Sequence, residues 1–145
     1  ELIESGTDFE TVVEKAELYS RHTHVVFALS SFNNLVKNGR MSKIVGFVAN
    51  KLGFWGIGIG SEQGTIEIKQ KIRGSKKALD AIIEDMKERG YNCGKVVISH
   101  CRNAEFAESV KSAIQSVWDK AEVKIVHARG LCSYYAEKGG LIIGF

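Results

Sequence analysis

The chain contains no proline, an absence that carries no functional reading. Its three cysteines are an odd number without a Cys-x-x-Cys pair, which argues against a disulfide scaffold and for a reducing compartment. No apolar run reaches transmembrane length, and neither a signal peptide nor a lipidation motif stands out. A cytoplasmic protein without stable membrane insertion is therefore expected. The net charge of +3 is too small to mark a nucleic-acid binder, so any positive field has to be local. Metal-ligand spacing is also missing. His100, Cys101, His127 and Cys132 form no Cys-x-x-Cys or His-x-x-x-His pattern, so neither a metal nor a cofactor is expected. No carboxylate pair suggests acid–base work, because Glu62, Glu67, Asp80, Glu84 and Asp85 fall where solvated faces are expected.

What remains is an ordinary globular composition, 44% hydrophobic and 26% charged over 145 residues, enough for one domain over 1–145 with a core of its own. The chain begins at Glu1 rather than methionine and closes on the apolar run 141–145, so it reads as an excised half of something longer.

The most informative stretch is 39–74. Gly39 ends one helical pattern and Ser42 caps another, which sets Arg40 on a bend where a ligand or partner can reach it. An amphipathic helix follows over 43–52, with Ile44, Phe47, Val48 and Leu52 on one face. The period then changes to two. Trp55, Ile57 and Ile59 alternate with Gly56, Gly58 and Gly60, giving a strand with one bulky face and one of bare backbone. Bare backbone there means either tight helix-on-sheet packing or a groove open to a ligand. A dinucleotide fingerprint is excluded, because turn residues and a second strand over 65–72 follow where a helix would have to open. In that second strand Ile66, Ile68, Gln70 and Ile72 alternate with Glu67, Lys69, Lys71 and Arg73. Lys69, Lys71, Arg73, Lys76 and Lys77 form a basic arm leading into a helix that starts after Gly74. The arm suits either an anionic partner or the defence of an edge strand.

Elsewhere helices alternate with apolar strands. Thr7 caps a first helix with Phe9, Val12, Val13, Ala16 and Tyr19 on one face, the run 24–29 is a strand, and Ser30-Ser31 caps a short helix. A helix over 78–86 stops at Gly90, and strands at 95–99 and 123–126 flank another helix. The pattern predicts an α/β fold, a layered mixed sheet with flanking helices and one β-hairpin. Cys132, Ser133, Tyr134 and Tyr135 read as a second, loop-borne candidate site. One enzyme reading is open, a Cys101 nucleophile with His100 or His127 as base, although apolar neighbours favour Cys101 as a core residue. Another open reading is a basic-edge interaction module. Nucleic acid is not expected as a partner, because Phe54 and Trp55 do not interleave with the lysines.

The order of motifs resembles the C-terminal domain of the DegV family of fatty-acid-binding proteins. The resemblance rests on Lys37-Asn38-Gly39-Arg40-Met41-Ser42, the run from Lys71 through Arg73-Gly74-Ser75 to Leu79, the strand end Val97-Ile98-Ser99-His100 and the glycine-rich closing strand. It implies a non-catalytic carrier that holds a long-chain fatty acid between two lobes and presents the carboxylate to a separate fatty-acid kinase subunit. By this resemblance the family's N-terminal lobe is expected to lie outside this chain. By the same resemblance Phe27, Leu29, Ile44, Phe47, Val48, Leu52 and Trp55 line the acyl tail, while Arg40, Arg73, Ser133, Tyr134 and Tyr135 face the head group. Lys69, Lys71, Lys76 and Lys77 form the partner surface. At the family's Gly-Thr-His this chain carries Ser133-Tyr134-Tyr135, and at its Lys-Pro it carries Trp55-Gly56.

Overall fold

The computed structural model describes residues 2–40, 54–61 and 65–145. The expected helix over 43–52, with its Ser42 cap and its apolar residues Ile44, Phe47, Val48 and Leu52, lies outside the described residues. The described elements are α1 (Phe9–Arg21), β1 (Val25–Leu29), α2 (Asn33–Lys37), β2 (Phe54–Gly60), β3 (Ile66–Arg73), α3 (Ser75–Glu88), β4 (Lys95–His100), α4 (Ala104–Val117), β5 (Glu122–His127), α5 (Gly130–Ala136) and β6 (Leu141–Gly144). The six described strands form one mixed sheet in the order β3-β2-β1-β6-β4-β5. Among these strands only β4 and β5 run parallel, joined through α4; the remaining described pairs are antiparallel, including the β2–β3 hairpin.

Register partners share a sheet face, so Val26, Ile143, Ile98 and Ile125 form one row across the sheet. This is the face covered by α3 and α4, which contribute Ile82, Met86, Val110 and Ile114 to the main core. Most of these side chains are fully buried, each worth about 1.5–3 kcal/mol of burial. The opposite face carries a smaller cluster of Phe27, Leu29, Phe32, Leu35 and Ala136 beneath α2 and α5.

Several local expectations are corrected. Asp8 rather than Thr7 caps α1, accepting from the Thr11 N–H at 3.0 Å; no residue of α1 is buried, and Phe9 and Tyr19 are exposed. The segment carrying Tyr134 and Tyr135 is the helix α5, not a loop. Neither Ser30 nor Ser31 caps α2, whose cap position is Phe32 without a side-chain bond. The acceptor there is Glu137, which takes the Asn34 N–H at 2.8 Å.

The expected alternation of β3 also fails. The ladder pairs Gly58 with Ile68 but Ile57 with Gln70, leaving Lys69 as the extra residue of a β-bulge. Ile66 and Ile68 therefore turn to the α2–α5 face, while Ile72 turns to the main core. Alternation cannot reveal this, because one extra residue exchanges the two faces.

Candidate functional site

On the α2–α5 face a cleft of about 210 Å³ has walls from six elements. Val25, Phe27 and Leu29 of β1 form its floor with Ile142 of β6. Leu35 of α2, Gly60 of β2, Ile66 of β3, and Tyr135 and Ala136 of α5 close its sides. The glycine stripe divides into two uses. A Cβ at Gly56 would run into the Phe32 ring, and one at Gly58 into the Phe27 ring and the Glu67 carbonyl oxygen, whereas a Cβ at Gly60 would meet nothing within 4 Å. Two of the three glycines thus admit aromatic rings rather than a helix, and the third opens on the cleft.

Arg40 stands beside Tyr135. Gly39, at φ 67°, lets the Arg40 N–H return to the Leu35 carbonyl at 2.9 Å, a helix-ending bond that fixes where Arg40 leaves α2. Arg40 Nε donates to Tyr135 Oη at 2.9 Å, and its guanidinium lies 4.9 Å from the centre of that ring. One cation and one hydroxyl therefore stand beside a hydrocarbon wall, the combination that orients an amphipathic anion. The neighbouring contacts hold α2 and α5 together. Asn34 Nδ2 donates to the Tyr134 carbonyl at 2.8 Å, Asn38 Nδ2 to Tyr134 Oη at 3.0 Å, and Ser31 Oγ to Glu137 Oε2 at 2.6 Å.

The structure brings Phe27, Leu29, Arg40 and Tyr135 to this place and sends other candidates elsewhere. Trp55 lies on the other face of the sheet, its ring 4.8 Å from that of Phe106 on α4, so it is main core rather than tail lining. Ser133 turns its hydroxyl to the Gly130 carbonyl of its own helix at 2.8 Å. Tyr134 is partly exposed beside α2 rather than in the cleft wall. Arg73 is exposed opposite Phe54, at the end of the hairpin remote from Gly60 and Ile66, on the order of 20 Å along the strand.

Lys69 leaves the expected partner surface. Its ammonium is 2.9 Å from Asp85 and 3.3 Å from Glu88, and the Asp85 hydrogen bond holds its pKa above the usual lysine range. Asp85, expected on a solvated face, is buried, with Arg89 at 2.9 Å on its other oxygen. Lys71, Arg73, Lys76 and Lys77 remain exposed.

The thiol-enzyme arrangement is not formed. Cys101 packs against the Phe27 cluster and lies 3.7 Å from the Ser133 carbonyl, while His100 pairs with Leu141 and His127 on the main-core face. The buried His100 accepts the Asn103 N–H on Nδ1 at 3.1 Å, and burial, aided by the His127 ring 4.5 Å away, pushes its pKa below the usual histidine range. Neither imidazole is placed to deprotonate Cys101. Among the described residues no group of three or more His, Cys, Asp or Glu could hold a metal ion, and no helix is long and apolar enough to cross a membrane.

Sequence reasoning missed Val25, Leu35, Gly60, Ile66, Ala136 and Ile142 in the cleft wall, and Glu137 behind it. The glycine stripe was the available signal for Gly60. Ile66 was concealed by the bulge, and Glu137 by its distance along the chain from its partners.

A second cleft, about 360 Å³, lies between Tyr19, His24, Tyr91, Lys95 and Phe145. Its wall mixes polar and apolar groups, so the wholly hydrocarbon cleft beside Arg40 is the better candidate for an acyl chain.

Comparison with known proteins agrees with this architecture. The profile of the family described as "Uncharacterised protein, DegV family" matches residues 1–145. A DegV domain-containing protein of Streptococcus pyogenes serotype M1 is 43% identical over 144 residues, covering 99% of this chain and 51% of that protein. The fatty acid kinase (Fak) B3 protein of Streptococcus pneumoniae, solved loaded with linoleic acid, shares 40% identity at a TM-score of 0.95, over 99% of this chain and 51% of that one. A DegV family protein from Eubacterium eligens, loaded with heptadecanoic acid, shares 38% identity at a TM-score of 0.94, over 99% and 52%. The chain spans about half the length of these relatives.

Proposed function

The chain belongs to the DegV family, and from that premise we propose that it is one lobe of a non-catalytic fatty-acid carrier, holding the acyl tail in the apolar cleft and the carboxylate beside Arg40 and Tyr135. The observation that carries this reading is the pairing of an all-hydrocarbon wall with a single arginine–tyrosine contact. Each methylene removed from water contributes about 0.8 kcal/mol. Ten of them give about 8 kcal/mol, the scale of a micromolar complex. The tail thus sets affinity, and Arg40 with Tyr135 sets direction.

At about 210 Å³ the cleft is smaller than the roughly 300–1,000 Å³ of complete small-molecule sites. A part-site fits a chain half the length of its relatives, with the other half of the fold closing the cleft. Exposed Lys71, Arg73, Lys76 and Lys77 supply a basic face for an acidic partner, for which a separate kinase subunit acting on the presented carboxylate is our reading.

The test is native mass spectrometry of the full-length protein purified from a bacterial host, followed by lipid extraction. A non-covalent mass released as a fatty acid is expected. A clean apo mass that takes up no added linoleic acid would end the carrier reading.

A further inference from the structure

We propose that Asp85, on the helix-covered face of the sheet, decides which side chains β3 offers to the apolar cleft on the other face. Register is the starting point. From the turn end, Ile66 pairs with Gly60, Glu67 with Ile59 and Ile68 with Gly58; Lys69 is then skipped, and Gln70 pairs with Ile57. Because of that skip Ile66 lines the cleft and Ile68 packs beside Phe27 and Leu29.

A competing register needs no bulge. With Gln70 to Arg73 kept on their partners, Lys69 would fall opposite Gly58 and Glu67 opposite Gly60, and each would inherit the cleft face from an isoleucine. Two charges would then stand where the wall is now hydrocarbon. The same hairpin thus has two registers, one presenting apolar and the other charged residues to a ligand.

Asp85 selects the first. Asp85 is only 4% exposed, and one carboxylate oxygen holds Lys69 Nζ at 2.9 Å while the other holds Arg89 Nε at 2.9 Å. Moving Lys69 to the cleft face would strip this buried carboxylate of one of its two cations, a strongly unfavourable change. The opposing strand is shaped for the same register, because the bulge brings the Glu67 carbonyl oxygen against Gly58, where a Cβ would collide with it. Asp85 touches no ligand in this arrangement and is a positioning residue. The consequence for lipid uptake rests on the carrier reading, whereas the consequence for register does not.

The test uses Asp85→Leu, which removes the acceptor shared by Lys69 and Arg89, and the same substitution combined with deletion of Lys69. In the full-length protein, crystal structures or cross-strand NMR contacts report which residue faces Gly58. Asp85→Leu is expected to exchange the Gly58–Ile68 contact for Gly58–Lys69 and to weaken binding of linoleic acid tenfold or more. Deleting Lys69 leaves a regular ladder that keeps Ile66 and Ile68 on the cleft face, so the combined variant is expected to regain the Gly58–Ile68 contact and near wild-type binding. A merely structural aspartate gives no such rescue. If Asp85→Leu retains the Gly58–Ile68 contact, or if both variants fail to fold, the proposal is overturned. A wild-type protein that takes up no linoleic acid counts against the carrier reading instead, and the Gly58 contact still decides the role of Asp85.

Discussion

The Glu137 carboxylate accepts the backbone N–H of Asn34 at 2.8 Å, joining the start of α2 to the end of α5 across 103 residues of chain. Glu137 itself sits at φ 53°, a left-handed conformation that side chains other than glycine rarely adopt. The strained residue is held by what its side chain does.

That arrangement predicts an ordering of variants. Glu137→Ala keeps the strain and leaves the Asn34 N–H and Ser31 hydroxyl without their acceptor, a loss of about 1–3 kcal/mol. Glu137→Gly forfeits the same bonds but relieves the backbone, and should be the milder change. Urea denaturation of both decides it, and a glycine variant less stable than the alanine variant would contradict the account.

The glycine stripe predicts two kinds of defect. Gly58→Ala forces a methyl against the Phe27 ring and the Glu67 carbonyl, which should cost about 1–3 kcal/mol by overpacking. Gly60→Ala meets nothing within 4 Å. It should leave the thermal midpoint nearly unchanged while narrowing the cleft and reducing uptake of linoleic acid.

Arg40 and Arg73, equivalent candidates in the sequence, should separate by titration with a fatty acid. Arg40→Gln should weaken binding by about tenfold to a hundredfold, the range of about 1.5–3 kcal/mol for a hydrogen bond to a charged group. Tyr135→Phe, which keeps the ring and loses the hydroxyl, should cost less. Arg73→Gln should leave the affinity within about twofold while sparing the cleft, because its strand position is remote from Gly60 and Ile66. Equal losses at the two arginines would place the head group elsewhere.

His100 predicts an acid-side loss of stability. Burial lowers its pKa in the folded state, below the roughly 6.5 of an exposed histidine. Above that value both states are neutral at this site and the contribution is complete. As the pH falls below it, the unfolded chain takes up a proton that the folded chain resists, and stability declines until the folded-state value is passed. The urea midpoint should fall between pH 8 and pH 5 more steeply in the wild type than in His100→Asn, which retains an acceptor for the Asn103 N–H. Parallel curves would exclude His100 as the cause.

Legibility in the sequence followed the range of the interactions. The α/β alternation was visible, as were the Gly39 turn that sets Arg40 and the apolar run carrying Phe27 and Leu29, because each depends on residues a few positions apart. Family membership was visible through the same short motifs. Trp55 was misplaced for a different reason: alternation puts it opposite the glycines but does not tell which face the larger helices cover. Lys69 was misread because an ion pair with α3, invisible along the strand, accompanies the bulge. Glu137 gave no local sign of capping a helix so far upstream.

The position of β6 bears on how the protein is made. It lies between β1 and β4, so the strands on either side of it remain two separate ribbons until Leu141–Gly144 has been synthesised. At about 5–20 residues per second of translation, β1 waits on the order of ten seconds for this partner. During that interval one edge of Val26 and Phe27, later among the most interior backbone of the molecule, is open to any strand that reaches it. Until β6 pairs with it, this edge of β1 is therefore a place where the nascent chain can mispair.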